Sequence, residues 1–85
     1  MSMVIISGSE VSVSNVKSTA DGIEFEVGPS DGDLFEEQPV FRFLNDSGAS
    51  VSCVVAWVSP QGLVRTVAAV PVRKEEHSKL LPAIR

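Results

Sequence analysis

The chain has 85 residues, a mass of 9.1 kDa, a hydrophobic fraction of 44% and a net charge of −4. A chain of this size and apolar content forms one packed domain, here residues 1–85, rather than a disordered segment. The acidic balance argues against nucleic acid as a partner, because phosphate binding requires a basic surface. No apolar run approaches the roughly 20 residues that span a bilayer, and residues 1–10 do not read as a secretory signal, so we expect no membrane partner.

The charge is divided unevenly along the chain. Residues 1–46 hold nine acidic and two basic side chains (net −7), whereas residues 47–85 hold two acidic and five basic ones (net +3). The halves could neutralise each other inside the molecule. They could also promote head-to-tail contact between copies or docking on a larger charged surface.

Apolar and polar residues alternate with a period of two, which is typical of half-buried strands. In chain order the alternating or β-rich stretches are EVSVSNV (10–16), GIEFEV (22–27), VFRFL (40–44), VSCVVAWV (51–58) and LVRTVAAVPV (63–72). Such a pattern predicts an all-β chain of about six or seven short strands. The spacing favours a sandwich or a small barrel, and we predict a small antiparallel β-sandwich, Ig-like or jelly-roll-like.

Two four-residue breaks that end in glycine, NDSG (45–48) and SPQG (59–62), predict tight hairpins. A glycine that closes a three-residue loop suits a type I turn followed by a left-handed residue, so both Gly48 and Gly62 are predicted to have positive φ. The first hairpin would pair Phe41 with Cys53 and Phe43 with Val51. The second would place Trp57 opposite Arg65, Val55 opposite Val67 and Cys53 opposite Ala69.

Together these registers divide the predicted strands into two faces. The odd-numbered residues form the predicted core face: Phe41, Phe43, Val51, Cys53, Val55, Trp57, Val67 and Ala69. The even face mixes polar residues with small aliphatic ones, and we predict that the aliphatic set is an interface: Val54, Ala56, Val58, Val64, Ala68 and Val70. An uncovered strip of this kind promotes aggregation, so we expect either the N-terminal strand MVII (3–6) or another subunit to cover it.

Residues that could support catalysis, a cofactor or a metal are few, and we predict no such site. His77 lies in a charged connector and is interpreted as a solvated residue rather than a base acting with Ser78. The acidic stretch SDGDLFEE (30–37) is interpreted as a solvated loop, because it does not complete a calcium-binding pattern.

Three further residues carry weak signals. Cys53 is the one cysteine, which excludes an internal disulfide, and is interpreted as a small buried hydrophobe. Asn45 begins a glycosylation-like triplet that we interpret as turn chemistry. Trp57 opposite Arg65 is interpreted as a core tryptophan beneath an edge arginine, with a cation-π pair at a binding surface as the alternative.

Four motifs follow one another along the chain: DGDLF (31–35), VFRFLNDSGASVSCVVAW (40–57), VPV (70–72) and LLP (80–82). Their order resembles that in small β-sandwich virion proteins of tailed bacteriophages, both head decoration or cement-like proteins and related neck or tail proteins. Gln38-Pro39, where these proteins often have a glycine turn, and an end at Arg85, soon after the late proline, depart from the family pattern. The resemblance implies a non-enzymatic structural component of a virion that binds the assembled capsid or a neighbouring virion protein and stabilises it.

Two hypotheses of different classes follow. The first is this virion structural protein, which would form a homo-oligomer and bind the major capsid protein or another virion protein without a cofactor or a small-molecule substrate. The alternative is a stand-alone Ig-like module that recognises a small ligand, glycan or peptide through loops near 31–37 and 75–79. Recognition loops usually carry exposed aromatic side chains, and here only Phe35 qualifies.

Overall fold

The alternating segments pair into one antiparallel sheet. In a computed structural model, residues 3–45, 48–60 and 62–80 are described, and within these ranges the sheet has seven strands in the order β2-β1-β5-β6-β7-β4-β3. The strands are β1 (Met3–Ile6), β2 (Ser9–Ser12), β3 (Ser14–Ser18), β4 (Ile23–Val27), β5 (Val40–Leu44), β6 (Ser50–Val58) and β7 (Arg65–Pro71). The strand number agrees with the prediction.

The predicted two-sheet sandwich is wrong, because the single sheet curls into a half-barrel. The connectivity explains the curl: β2 and β3 lie at opposite ends of the sheet, yet Val13 alone separates them in the chain. One continuous segment therefore brings both ends of the sheet together. A flat sheet of seven strands, about 4.8 Å apart, could not satisfy this link.

The core fills the inside of the half-barrel. Phe25, at the centre, contacts the rings of Phe35, Phe41 and Phe43, with centroid distances of 5.6, 5.8 and 6.2 Å. Buried residues of β1, β4, β5, β6 and β7 surround this cluster. The alternation in GIEFEV is confirmed, since the apolar residues of β4 are all buried.

The N-terminal strand has a different position from the one considered above. β1 pairs with β5 within the sheet, and its residues Val4 and Ile6 are buried in the core. It therefore extends the sheet edgewise and does not lie across the even face.

Two short helices and a 3-10 turn were not predicted. Helix α1 (Gly32–Glu37) occupies the acidic stretch and contributes Phe35 to the core. The 3-10 turn (Lys74–Glu76) leads into helix α2 (His77–Leu80), which buries Leu80. Segments this short have too few residues for a periodic apolar pattern, so tertiary packing stabilises them. The interpretation of 30–37 as a solvated loop is wrong, because residues 32–37 form a helix. The interpretation of His77 as a solvated residue of a charged connector is also wrong, since His77 begins α2 and is half-buried.

The hairpin between β5 and β6 has the predicted register. Phe41 pairs with Cys53 and Phe43 with Val51. Gly48 has a φ of +89°, as a left-handed turn residue should, and its amide donates to the Asn45 carbonyl at 3.0 Å. Asp46 and Ser47 lie outside the described residues. The Asn45 side chain holds the turn, since its Oδ1 accepts from the Ala49 amide and its Nδ2 donates to the Lys79 carbonyl.

The hairpin between β6 and β7 differs from the prediction in two ways. Its loop is longer, because the Ser59 amide donates to the Thr66 carbonyl at 2.8 Å, and Gly62 does not have positive φ. The register is displaced by two residues, so Val55 pairs with Ala69 and not with Val67. A displacement of two preserves the face that each residue occupies.

A β-bulge then reverses the faces at the end of β6. Val55 pairs with Ala69 and Trp57 pairs with Ala68, so Ala56 is an additional residue on β6. Beyond the bulge Trp57 is on the outer face and Val58 packs against the core. The predicted core position of Trp57 is therefore wrong.

Candidate interaction face

The outer face of the sheet has an apolar centre. Val54 pairs with Val40 of β5 on one side and with Val70 of β7 on the other, which makes a row of three valines across adjacent strands. Val40 is 55% exposed, and Val54 and Val70 are half-buried. Side chains in such a row lie about 5 Å apart, so the three form one continuous apolar surface.

Trp57 extends this surface. The bulge turns its side chain to the outer face beside Ala68, and the tryptophan is 50% exposed while the alanine is only 8% exposed. Bulges re-aim side chains, and tryptophans at the centre of an interface contribute strongly to binding. We define the outer patch as Val40, Val54, Trp57, Ala68 and Val70.

Three of the six predicted interface residues are in the outer patch: Val54, Ala68 and Val70. Ala56 is exposed within the bulge, and Val64 is 54% exposed in the loop before β7. Val58 is in a different position from the predicted one, because it faces the core opposite Val67. The binding role of the set stays a prediction.

Sequence reasoning missed two residues of the outer patch. Val40 is even-numbered on the same strand as Arg42, so the alternation along β5 was sufficient to find it. Trp57 had no comparable signal, because VVAW contains no residue type that marks a bulge. The displacement of one residue is visible only in the pairing with β7.

Charged side chains of opposite sign flank the outer patch. Arg42 is exposed on β5 and its Nη2 donates to Ser50 Oγ at 2.9 Å. On the far side, Glu24 of β4 pairs with Ala68, and Lys17 of β3 is its neighbour beyond. Within the described part of the chain Glu24 forms no ion pair.

Arg65, predicted to lie opposite Trp57 at an edge, is buried instead. It is 1% exposed, with Nη1 at 3.1 Å from Asp33 Oδ1 and Nη2 at 2.9 Å from Glu36 Oε1. Its Nε donates to the Ser59 carbonyl at 2.8 Å. The hydrogen bond to Glu36 raises the pKa of Arg65, a change that desolvation opposes. The predicted cation-π alternative is wrong.

This arginine explains why helix α1 lies where it does. The chain approaches so closely at Gly32 that a Cβ there would be 2.7 Å from Arg65 Cγ, so only glycine fits. The ion pairs join the acidic first half to the more basic second half, as one reading of the charge distribution predicted. Asp33 and Glu36 therefore have a structural role. Across residues 3–45, 48–60 and 62–80, no group of three histidine, cysteine or acidic side chains could hold a metal ion.

A cleft of about 530 Å³ lies at the end of β7, beside helix α2. Val70, Pro71 and Val72 line it together with the charged residues Asp21 and Lys74, and with His77 and Ala20. His77 is half-buried and its Nε2 donates to the Thr19 carbonyl at 3.1 Å. This bond places the exchangeable proton of the neutral ring on Nε2, because a carbonyl oxygen can only accept.

Cys53 is a buried residue of the core, as predicted. Burial, with a smaller contribution from the Glu76 carboxylate, raises the pKa of the thiol to about 12. At neutral pH the side chain is a protonated, unreactive thiol, since the thiolate is the nucleophilic form.

No protein-family model, no curated protein and no solved structure matches this chain. Among the helices of the described ranges, none has the length and apolar character needed to cross a membrane.

Proposed function

We propose that this chain is a non-enzymatic structural protein that acts by protein–protein contact through the outer patch. The observation that carries the proposal is the continuous row Val40–Val54–Val70 with Trp57 beside it, half-exposed. Tryptophan is enriched in interfaces relative to the rest of the protein surface, and it is over-represented among the residues that contribute most to binding. The proposal assigns no catalytic residue and no cofactor.

The bulge strengthens this argument. A regular β6 would send Trp57 to the core side, so the additional residue Ala56 is what exposes the tryptophan. Contiguous apolar surface is an aggregation hazard for a monomer and an energetic gain for an assembly. The outer patch is therefore understandable if another protein surface covers it.

The resemblance to virion proteins of tailed phages supplies the biological setting of the proposal. A protein present in many copies on a particle needs only modest affinity for each site, because simultaneous contacts on a lattice raise occupancy. We propose that this chain is such a component of a tailed-phage particle, bound to the capsid or to a neighbouring virion protein.

Val54→Glu tests the contact surface. A carboxylate at the centre of the outer patch would have to be desolvated on association, so we expect binding to weaken at least about 30-fold, which corresponds to about 2 kcal/mol. Sedimentation velocity from micromolar to millimolar protein measures this change. Circular dichroism should show an unchanged fold, since Val54 is on the outer face.

The matched control is Leu63→Glu, because Leu63 is 92% exposed in the loop before β7 and is not part of the outer patch. It should associate as the natural chain does. A natural chain that stays monomeric and binds no virion protein, or a Val54→Glu variant that associates unchanged, refutes the proposed surface. Mass spectrometry of purified particles from a strain that carries the gene tests the virion setting separately.

A second candidate function, a small-ligand binding module, is favoured by the cleft beside α2. Its volume is within the range of about 300–1,000 Å³ that small-molecule sites occupy, and Asp21, Lys74 and His77 line it. This cleft differs from the binding surface expected from the sequence, which was formed by loops near 31–37 and 75–79, since residues 32–37 and 77–80 are helices. NMR titration with amino acids and monosaccharides tests it: saturable shifts at these three residues support the module, and their absence excludes those ligands.

A further inference from the structure

Two opposite charges occupy equivalent positions around the centre of the outer patch. The centre is the cross-strand pair Val54–Val70 on β6 and β7. Arg42 lies one strand beyond β6 and pairs with Ser52, two residues before Val54. Glu24 lies one strand beyond β7 and pairs with Ala68, two residues before Val70.

The sheet spacings convert this register into distances. Strands are about 4.8 Å apart and two residues span about 6.8 Å, so the Cα atoms of Arg42 and Glu24 each lie about 10 Å from the centre. Because β6 and β7 are antiparallel, the two displacements along the strands have opposite directions. The arginine and the glutamate therefore sit at diagonally opposite corners, related by a half-turn about the centre.

A surface with opposite charges at opposite corners is complementary to itself. If a second copy faces the first across a two-fold axis that lies in the interface, Arg42 of each copy can face Glu24 of the other. That axis passes through the Val54–Val70 pair, at about 45° to the strands, so the two sheets cross almost at right angles, one of the two common packings of sheets.

We propose that the outer patch is the contact surface of a symmetric homodimer in which Arg42 and Glu24 form two reciprocal ion pairs around apolar residues. The inference rests on the proposed function and specifies its partner as a second copy of this chain. The two-fold rotation that relates the two copies also brings Trp57 of each copy over Val40 of the other. It thereby covers the two most exposed members of the outer patch.

Charge and shape together account for the expected strength of the dimer. The outer face of a half-barrel is convex, so the buried area is small and the affinity is modest. Each ion pair occurs twice because of the symmetry, which doubles the effect of any change in charge. Lys17, beside Glu24 on β3, weakens the attraction without cancelling it, because it lies one strand farther from the centre.

Charge reversal tests this geometry directly. Arg42→Glu or Glu24→Arg alone makes both reciprocal contacts repulsive, so we expect each to weaken self-association about tenfold or more at low ionic strength. Combining both changes in one chain restores two attractive pairs and should restore the dimer. Sedimentation velocity measures all three variants, with Glu10→Arg, two strands beyond Arg42 in the same cross-strand row, as the charge control outside the two proposed ion pairs.

A mixture of the two single variants gives the sharpest result. Their heterodimer has two attractive pairs, while each homodimer has only repulsive ones, so native mass spectrometry with one isotope-labelled partner should detect mainly the heterodimer. Circular dichroism of each variant shows whether it is folded. Recovery in the mixture would by itself exclude misfolding as the cause of the loss.

The outcomes separate this inference from the proposed function. If Val54→Glu abolishes association but the charge reversals act like Glu10→Arg, the two-fold arrangement is wrong and the contact surface stands. If the chain binds another virion protein and never itself, the homodimer is again wrong. If Val54→Glu changes nothing, the contact surface and the dimer are both wrong.

Discussion

Replacing Phe25 with leucine should destabilise the protein through the loss of ring contacts. Phe25 is fully buried and contacts three rings, whereas Phe43, equally buried, contacts only Phe25 within the cluster, in a stacked geometry with an interplanar angle of 24°. An aromatic pair contributes about 0.5–1.5 kcal/mol beyond the area that it buries. Phe25→Leu therefore loses about 1.5–4.5 kcal/mol of pair energy, and Phe43→Leu about 0.5–1.5 kcal/mol.

Both variants should remain folded for most values of the expected loss, since a chain of this length has a free energy of unfolding of about 4–13 kcal/mol. Urea unfolding followed by circular dichroism measures the two losses. The double variant should lose less than the sum of the single variants by the energy of the shared Phe25–Phe43 pair. Equal losses for the two single variants would show that apolar burial, and not the ring geometry, determines the stability of this cluster.

Two further predictions concern the turns and the buried thiol. Gly48→Ala should lower the free energy of unfolding by about 1–2 kcal/mol, because an alanine at positive φ is strained, while Gly62→Ala should change it very little. Urea unfolding compares the two variants, and equal losses would contradict the turn assignment. Since burial raises the pKa of Cys53 from 9.0 to about 12, the unfolded chain releases this proton at lower pH than the folded one. Stability is then intact below about pH 9 and falls by up to about 1.4 kcal/mol per unit as the pH rises towards 12. The stability advantage of the natural chain over Cys53→Ala should therefore shrink as the pH rises across this range in denaturant unfolding, and a constant difference would refute the shift.

The strands were predictable from the sequence because their signal is local. Alternation places every second side chain on the same face whatever the partner strand is, so GIEFEV and VFRFL indicated their buried residues correctly. The NDSG turn was also predictable, because Gly48 closes a short loop with its own backbone hydrogen bonds. The resulting register brought Phe41 and Phe43 into the core.

The second hairpin could not be predicted in the same way. Its loop has the same kind of glycine ending, but the chain pairs Ser59 with Thr66 and leaves Gly62 in an ordinary conformation. The choice depends on where β7 finds its other partner, β4, which positions Arg65 beside helix α1. A buried arginine requires partners of opposite charge, and no local sequence pattern reveals that a distant helix supplies two carboxylates.

The candidate interface also combines positions that the sequence predicted correctly with positions that it did not. Val54, Ala68 and Val70 were found because the displaced register differs by two residues and so preserves their face. Val58 and Trp57 were placed on the wrong faces because the bulge at Ala56 reverses the alternation. A single inserted residue is thus sufficient to exchange a core side chain for an exposed one.

The sequence alone determined the strand segments, the first turn and the apolar character of one outer face, since each depends on residues that are close together in the chain. The tertiary structure decided that the sheet curls into a half-barrel, that Arg65 is buried beneath α1 and that Trp57 faces outward. These features depend on contacts between segments far apart in the chain: the link through Val13, the pairing of β7 with both neighbours, and the packing of a helix of six residues. Such contacts form cooperatively when the whole chain folds, and a local sequence pattern does not predict them.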